Sequence, residues 1–169
     1  GKRRNLIKKL RNNNNEWVEG KDNLNHLICE YFGNLFTSDA VECDQALLQT
    51  VKPRVTTNMN RFLMAPYSRE DVRKALFQIG DLKVSGPDGL HVVFFKRFWH
   101  ILGEELTNEV LAAINNRKKP DGWNQTNVVL IPKVESPEVI TQYRHISLCN
   151  VIYKIISKML ANRLKEILP

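Results

Sequence analysis

The chain has 169 residues, of which 43% are hydrophobic and 25% are charged, so it is long enough and apolar enough to fold around a core. Its net charge of +7 is concentrated at one end, because the first eleven residues hold six of the 25 cations and no acid. The remaining 19 cations face 18 acids, which excludes a strongly basic body. The basic arm suits a phosphate backbone or a nuclear import receptor, and a solvated end is the alternative.

The cysteine and histidine patterns give no sign of a metal or disulfide site. The three cysteines form no Cys-x-x-Cys, and the four histidines lack ligand spacing. The cysteines therefore predict reduced thiols in an intracellular compartment, nucleus or cytoplasm. No apolar run approaches 18 residues and no signal peptide is visible, so no membrane partner is expected. The first residue is Gly1 rather than methionine, which suggests a fragment of a longer protein.

The first strong helical pattern begins at Asp22, after a polar segment whose Asn run at 12–15 predicts a loop. Asp22 or Asn23 is the expected cap. Residues 37–60 have weak periodicity and predict a linker with one short helix at 45–51. The apolar stripe of the first helix recurs at helical spacing: Leu24, Leu27, Ile28, Tyr31, Phe32 and Leu35.

A second helix is predicted after Ser68, which with Asp71 forms a capping-box pattern. Gly80 is its expected stop. The following loop, residues 83–89, contains Gly86 and Gly89 but lacks the glycine and lysine spacing of a phosphate-binding P-loop. Without further information this loop is a turn. The inward face of the helix is Val72, Ala75, Leu76 and Ile79.

An aromatic patch and a third helix follow. Rings interleaved with cations can stack nucleic-acid bases, but the helical spacing favours a buried face with solvated cations opposite. The patch contains Phe94, Phe95, Phe98 and Trp99, with Ile101 and Leu102 continuing the face. The third helix is predicted at residues 104–116, with Leu106, Val110, Leu111 and Ile114 facing inward.

Residues 128–148 predict a β-hairpin. The apolar run at 128–131 is typical of a strand buried on both faces, Pro132 ends it, and residues 143–148 predict the returning strand. Lys133 and Arg144 then lie near the open end of the hairpin. This pair can hold a triphosphate, lysine as a point charge and arginine as a planar fork; two solvated surface cations are the alternative.

The last segment has the longest helical pattern, and it completes the predicted fold. Three lysines share a polar face that suits either a nucleic-acid backbone or solvent: Lys154, Lys158 and Lys165. The opposite stripe is Ile152, Ile155, Ile156, Met159, Leu160, Leu164 and Ile167. The fold class predicted from all segments is α+β, mostly helical with one β-hairpin.

Several of these motifs together resemble a known family. Residues 130–133 (Leu-Ile-Pro-Lys) and 143–155 (Tyr-Arg-His-Ile-Ser-Leu-Cys-Asn-Val-Ile-Tyr-Lys-Ile) resemble the first conserved blocks of the reverse transcriptase of plant LINE-type (non-LTR) retrotransposons. Residues 86–90 (Gly-Pro-Asp-Gly-Leu) and 94–99 (Phe-Phe-Lys-Arg-Phe-Trp) fit the preceding block. The order and spacing agree, and the resemblance covers at least residues 62–169.

A looser match lies near the N-terminus. Residues 16–18 (Glu-Trp-Val) and 31–38 (Tyr-Phe-Gly-Asn-Leu-Phe-Thr-Ser) are similar to the segment that joins endonuclease to polymerase in these elements. One position departs from the family pattern, since His145 stands where the family usually has proline. That difference removes a rigid φ before Ile146.

The resemblance implies a domain organisation, partners and a cofactor. Residues 1–61 would be a basic arm and endonuclease-to-polymerase connector, and residues 62–169 the reverse-transcriptase fingers and start of the palm. The partners of the intact enzyme would be an RNA template, a DNA primer and a dNTP, with Mg²⁺ as its cofactor. By resemblance, Lys133 and Arg144 would contact the nucleotide phosphates. The loop residues that would lie near the template are Gly86, Pro87, Asp88 and Gly89.

The resemblance also implies what this chain lacks. The family's metal-binding aspartates lie C-terminal to the block around Arg144, whereas the last aspartate here is Asp121. No catalytic or metal-binding residue and no bound cofactor are therefore expected, and the chain alone should be inactive without the endonuclease and palm regions. Two alternatives remain: a truncated or domesticated non-catalytic RNA-binding module, or a decayed relic. Salt-dependent RNA binding would favour the module, and failure to fold cooperatively would favour a fragment or relic.

Overall fold

The computed structural model describes residues 6–38, 45–50, 54–116, 122 and 125–168. Within them, seven α-helices and two antiparallel hairpins form an α+β fold, so the predicted class is confirmed. The prediction of one hairpin was wrong. In chain order the elements are β1 (Lys9–Arg11), β2 (Trp17–Glu19), α1 (Lys21–Phe36), α2 (Gln45–Thr50), α3 (Thr57–Met64), α4 (Arg69–Gln78), α5 (Val92–Arg97), α6 (Trp99–Asn115), β3 (Thr126–Pro132), β4 (Tyr143–Cys149) and α7 (Val151–Lys165).

The chain forms two compact units. The first comprises residues 1–52 and 128–146, and the second residues 53–127 and 147–169. The hairpin of β3 and β4 contributes to both. These units are defined by contacts within the chain. The expected boundary between residues 61 and 62 separates two regions of a longer protein, so it stays a prediction.

In the first unit, β1 pairs with β2 around the Asn loop. Lys9 lies opposite Glu19 and Arg11 opposite Trp17. The loop is held by Asn12, whose side-chain oxygen accepts from the backbone N–H groups of Asn14 and Glu16 at 3.0 and 2.9 Å. The loop was predicted, but the two strands were missed, because three residues are too short a window for strand alternation to be seen.

Helix α1 supplies more of the first core than any other element. Its position was predicted within one residue, but its N-cap is Gly20, at φ 88°, rather than Asp22 or Asn23. Glycine adopts that positive φ without steric cost. Leu35 is exposed, so the predicted stripe packs only along part of its length. The core of this unit consists of Leu10, Leu24, Ile140 and Tyr143, with Ile7, Val18, Leu27, Ile28, Tyr31, Phe32 and Leu130 packed against it.

The second unit is built on α4, which begins where the sequence predicts. Asp71 N donates to Ser68 Oγ at 3.3 Å, and Ser68 N donates to Asp71 Oδ2 at 2.8 Å, so the capping box is confirmed. At the other end Lys96 Nζ donates to the Phe77 and Ile79 carbonyls at 3.1 and 2.7 Å and pairs with Asp81 at 2.6 Å. Both ends of the helix are therefore satisfied by side chains.

Replacing Ser68 by alanine is expected to lower the free energy of unfolding by about 1 kcal/mol, because the N–H of Asp71 loses its acceptor. Urea denaturation followed by circular dichroism measures the change. The matched control is Ser157→Ala at an exposed position inside α7, where the better helix propensity of alanine should leave stability equal or slightly higher. Equal losses in both variants would contradict the capping role.

Helices α4, α6 and α7 surround the second core. The inward residues predicted for α4 and for the third helix pack as expected. In α7, Ile155 and Met159 are buried, but Leu160 and Leu164 are exposed. The buried residues of this core are Val72, Ala75, Leu76, Val92, Phe95, Leu106, Val110, Val151, Ile155 and Met159.

The aromatic patch was predicted wrongly as one buried helix face. Phe95 is buried, whereas Phe94 and Phe98 remain partly exposed and Ile101 is 64% exposed. The physical reason is a break at Phe98, whose φ of −99° and ψ of 20° end α5 and begin α6 at Trp99. Because the helix axis is interrupted there, the periodicity before the break does not continue after it. Helix α6 consequently begins five residues earlier than predicted.

Helix α3 was not predicted and depends on a distant arginine. The Arg163 guanidinium donates to the carbonyl of Leu63 in the last turn of α3 and to those of Ala65 and Pro66 just past it. It also lies 3.4 Å from the ring centroid of Tyr67. Burial raises the pKa of the Tyr67 hydroxyl, and the charge of Arg163 partly offsets that rise. None of the helices in the described part of the chain combines the length and hydropathy that a membrane span needs.

Candidate functional site

The hairpin of β3 and β4 carries the two cations predicted to bind a nucleotide. Pro132 ends β3 as expected, and β4 begins at Tyr143 despite the histidine at 145. Lys133 N donates to Gln142 O at 2.8 Å, and Thr126 Oγ1 lies 3.4 Å from Cys149 Sγ. Both contacts fit one register of two seven-residue strands, in which Ile131 lies opposite Arg144.

One side of this hairpin packs against the first core. Leu130 and Tyr143 contact that core, and burial raises the pKa of the Tyr143 hydroxyl. His145 is on the same side, with its ring centroid 5.5 and 5.8 Å from those of Phe32 and Phe36. In the inferred register the His145 N–H points away from β3. A proline there would cost no bond of the ladder, so the departure from the family pattern is compatible with the strand.

The other side is exposed, so the prediction of a strand buried on both faces was wrong. Val129, Ile131 and Ile146 are 38, 38 and 42% exposed. Alternation puts them on the side opposite Leu130 and Tyr143. The physical reason is that this sheet has two strands, and the core of the first unit covers only the part of the other side where Leu130 and Tyr143 lie. Apolar composition alone does not reveal how many layers will cover a strand.

The predicted phosphate ligands share that exposed side. Arg144 lies opposite Ile131, and Lys133 follows Ile131 by two residues, so all three project to one side in the inferred register. Diagonal positions of this kind are about 7–8 Å apart, a separation that two long cationic side chains can bridge around one phosphate group. Arg144 is exposed, while Lys133 Nζ donates to the Thr141 carbonyl at 2.8 Å. Nucleotide binding by the pair stays a prediction.

The predicted template loop belongs to the second unit. Gly89 N donates to Gly86 O at 3.1 Å, which closes a β-turn with Pro87 at its second position. Gly86 is buried against the junction of β4 and α7. A Cβ on Gly86 would lie 2.5 Å from Asn150 N and 2.6 Å from Cys149 C. Glycine is therefore required at 86 by the close approach of two backbone segments.

The outer part of the loop is presented at the surface. Pro87, Asp88 and Gly89 are exposed, and Asp88 Oδ1 accepts from Leu90 N at 3.0 Å. With the Asn150 amide oriented to satisfy its neighbours, its nitrogen donates to the Asp88 carboxylate at 3.3 Å. A ligand would therefore meet the three exposed residues, with Gly86 beneath them. Template binding by the loop stays a prediction.

Two supporting residues were missed or assigned elsewhere. Lys154 Nζ donates to the Val84 carbonyl at 2.6 Å, so this lysine braces the loop. From its spacing in the sequence, Lys154 was expected on a polar face that suits nucleic acid or solvent. Asn150, the second brace, had no expected role. The partners are separated by more than sixty residues, so no local pattern could have revealed them.

Within the described residues no group of three or more His, Cys, Asp or Glu side chains is arranged to hold a metal ion. Asp121, the last aspartate of the chain, lies outside the described residues.

Comparison with known proteins shows a similarity to a transposon-encoded protein. No protein-family profile matches the chain. The chain is 29% identical over 139 residues to the transposon TX1 uncharacterized 149 kDa protein of Xenopus laevis. The aligned region covers 82% of this chain and 11% of that protein, so the chain spans about a tenth of the relative's length. The chain is thus related in sequence to a transposon-encoded protein.

Proposed function

We propose that the chain is part of an RNA-directed DNA polymerase of a LINE-type retrotransposon. It would carry the fingers that contact nucleotide and template, without the catalytic aspartates. The resemblance of its sequence blocks and its similarity to a transposon protein support this proposal. The observation that carries it is the position of Lys133 and Arg144 on one exposed side of the hairpin. A location in the nucleus or cytoplasm, which the cysteine pattern also predicts, is part of this proposal.

In that role the two cations would bind the phosphates of the incoming nucleotide. Arg144 would donate two parallel N–H bonds to one phosphate, and Lys133 would exchange its Thr141 carbonyl for a phosphate oxygen. In the intact enzyme, Mg²⁺ held by aspartates outside this chain would supply charge neutralisation at the reacting phosphorus. This chain would position the nucleotide and would not catalyse its transfer alone.

Replacing Arg144 by alanine is expected to weaken binding of dTTP about five-fold, since one exposed charge-assisted contact is worth roughly 1 kcal/mol. Titration of the ¹⁵N-labelled chain with dTTP, followed by NMR shifts of β3 and β4, measures the constant. The control is Arg69→Ala, which removes the same charge from an exposed position at the start of α4. A loss of equal size in both variants, or shifts outside the hairpin only, would refute the assigned site.

A second candidate is a non-catalytic RNA-binding module. It is favoured by the presence of a buried core in each unit, because a module must fold without further segments. The two candidates differ in the expected titrations. A polymerase fragment binds dTTP at the hairpin, whereas a module binds RNA with strong salt dependence and no dTTP. A decayed relic would do neither.

A further inference from the structure

We propose that the outer face of the β1–β2 hairpin binds single-stranded nucleic acid. This face, called the Trp17 face below, consists of Lys9, Arg11 and Trp17. It shares no residue with the nucleotide and template sites described above. The proposal therefore stands or falls independently of the polymerase assignment.

Strand alternation separates the two sides of this hairpin. Leu10 is fully buried, and its partner Val18 packs against the same core. Their neighbours in sequence must then point the opposite way, toward solvent. Trp17 is accordingly 40% exposed. Trp17 therefore presents part of its ring to solvent on the side opposite Leu10.

Two cations lie against the exposed indole. Lys9 Nζ is 4.1 Å from the ring centroid, and Arg11 Cζ is 4.6 Å from it. Arg11 is held in place from two directions, because its guanidinium pairs with Glu138 at 3.0 Å and donates to Asn15 at 2.9 Å. Its backbone N–H also donates to the Glu138 carbonyl at 2.7 Å. The aromatic ring and its cations are thus ordered before any ligand arrives, which reduces the entropy lost on binding.

This combination matches the chemistry of a single strand. An unpaired base can stack on an exposed aromatic ring, and adjacent cations can neutralise the phosphates on either side of it. Bases inside a duplex are already stacked and do not offer a free face. Glu19 lies opposite Lys9 and Glu138 pairs with Arg11, so both acids lower the local charge, but the first eleven residues carry six cations and no acid. An acidic peptide would use the cations of this face but not its aromatic ring. The face therefore favours nucleic acid over an acidic peptide.

Fluorescence anisotropy of labelled twelve-nucleotide oligo(U) and oligo(dT) with the whole chain tests the proposal. Trp17→Ala is expected to weaken binding about ten-fold, because stacking contributes roughly five-fold to a hundred-fold per base. Trp17→Phe, which keeps a ring, should bind within about three-fold of the original chain. Lys9→Ala should reduce the slope of log affinity against log salt by about 0.7. The difference between the two oligomers identifies which strand, RNA or DNA, the face prefers.

Three results would overturn the proposal. The first is that Trp17→Ala binds the oligonucleotide within two-fold of the original chain. The second is that a twelve-base-pair duplex binds as tightly as the single strand. The third is that poly-glutamate competes for the chain as well as the oligonucleotide does. Arg69→Ala serves as the control and should leave oligonucleotide binding unchanged. A loss in Arg144→Ala alone would assign the strand to the nucleotide hairpin instead. If Trp17→Ala loses the circular dichroism signal of the folded chain, the Trp17→Phe and Lys9→Ala variants decide the outcome.

Discussion

Replacing Gly86 by alanine is expected to lower the free energy of unfolding by about 3 kcal/mol, the upper end of the cost of overpacking. The added methyl would lie 2.5 Å from Asn150 N and 2.6 Å from Cys149 C, and neither backbone atom can rotate away. The loop would have to move off the start of α7, which would also lengthen the bonds from Lys154 and Asn150. Urea denaturation followed by circular dichroism measures the loss.

The control for this change is the same substitution at Gly33. That glycine lies in α1, and nothing lies within 4 Å of the position its Cβ would take. Alanine there should raise stability by about 0.5–1 kcal/mol, because glycine is a poor helix residue. If Gly86→Ala proves as harmless as Gly33→Ala, the loop is not packed against the β4–α7 junction in solution.

Replacing Leu76 by alanine is expected to cost about 3 kcal/mol. Leu76 is fully buried in the second core, between α4 and its neighbours. Large-to-small changes at such positions lose the transfer free energy of the side chain and leave a cavity behind. The change is again measured from the midpoint of the urea denaturation curve. A single cooperative transition with an unchanged slope would show that this unit folds as one body in the isolated chain.

The matched control is Leu82→Ala. Leu82 follows α4 and is 89% exposed, so its removal should change the free energy of unfolding by less than about 0.5 kcal/mol. A broad, non-cooperative transition of the original chain would contradict a packed second core. It would favour a fragment that needs its missing neighbours, or a relic, over an RNA-binding module.

The local elements were largely predictable. The capping box at Ser68, the stripe of α1, Pro132 at the end of β3 and the strand from Tyr143 all depend on residues within one or two turns of each other. Helix α3 was missed because its last carbonyls are satisfied by Arg163, about one hundred residues later. The prediction of one long aromatic face was wrong because one residue, Phe98, interrupts the helix.

For the candidate sites, the sequence by itself determined the chemical types: a lysine and an arginine on one hairpin, a tight glycine turn, and a basic arm. Only the tertiary structure decided what surrounds them. It left one side of β3 and β4 exposed, it placed Gly86 against Asn150, and it put Lys9 and Arg11 against the Trp17 ring. The physical reason is that hydrogen bonding and turn chemistry act between near neighbours. Burial depends on which distant segments share a layer, and composition alone does not specify that.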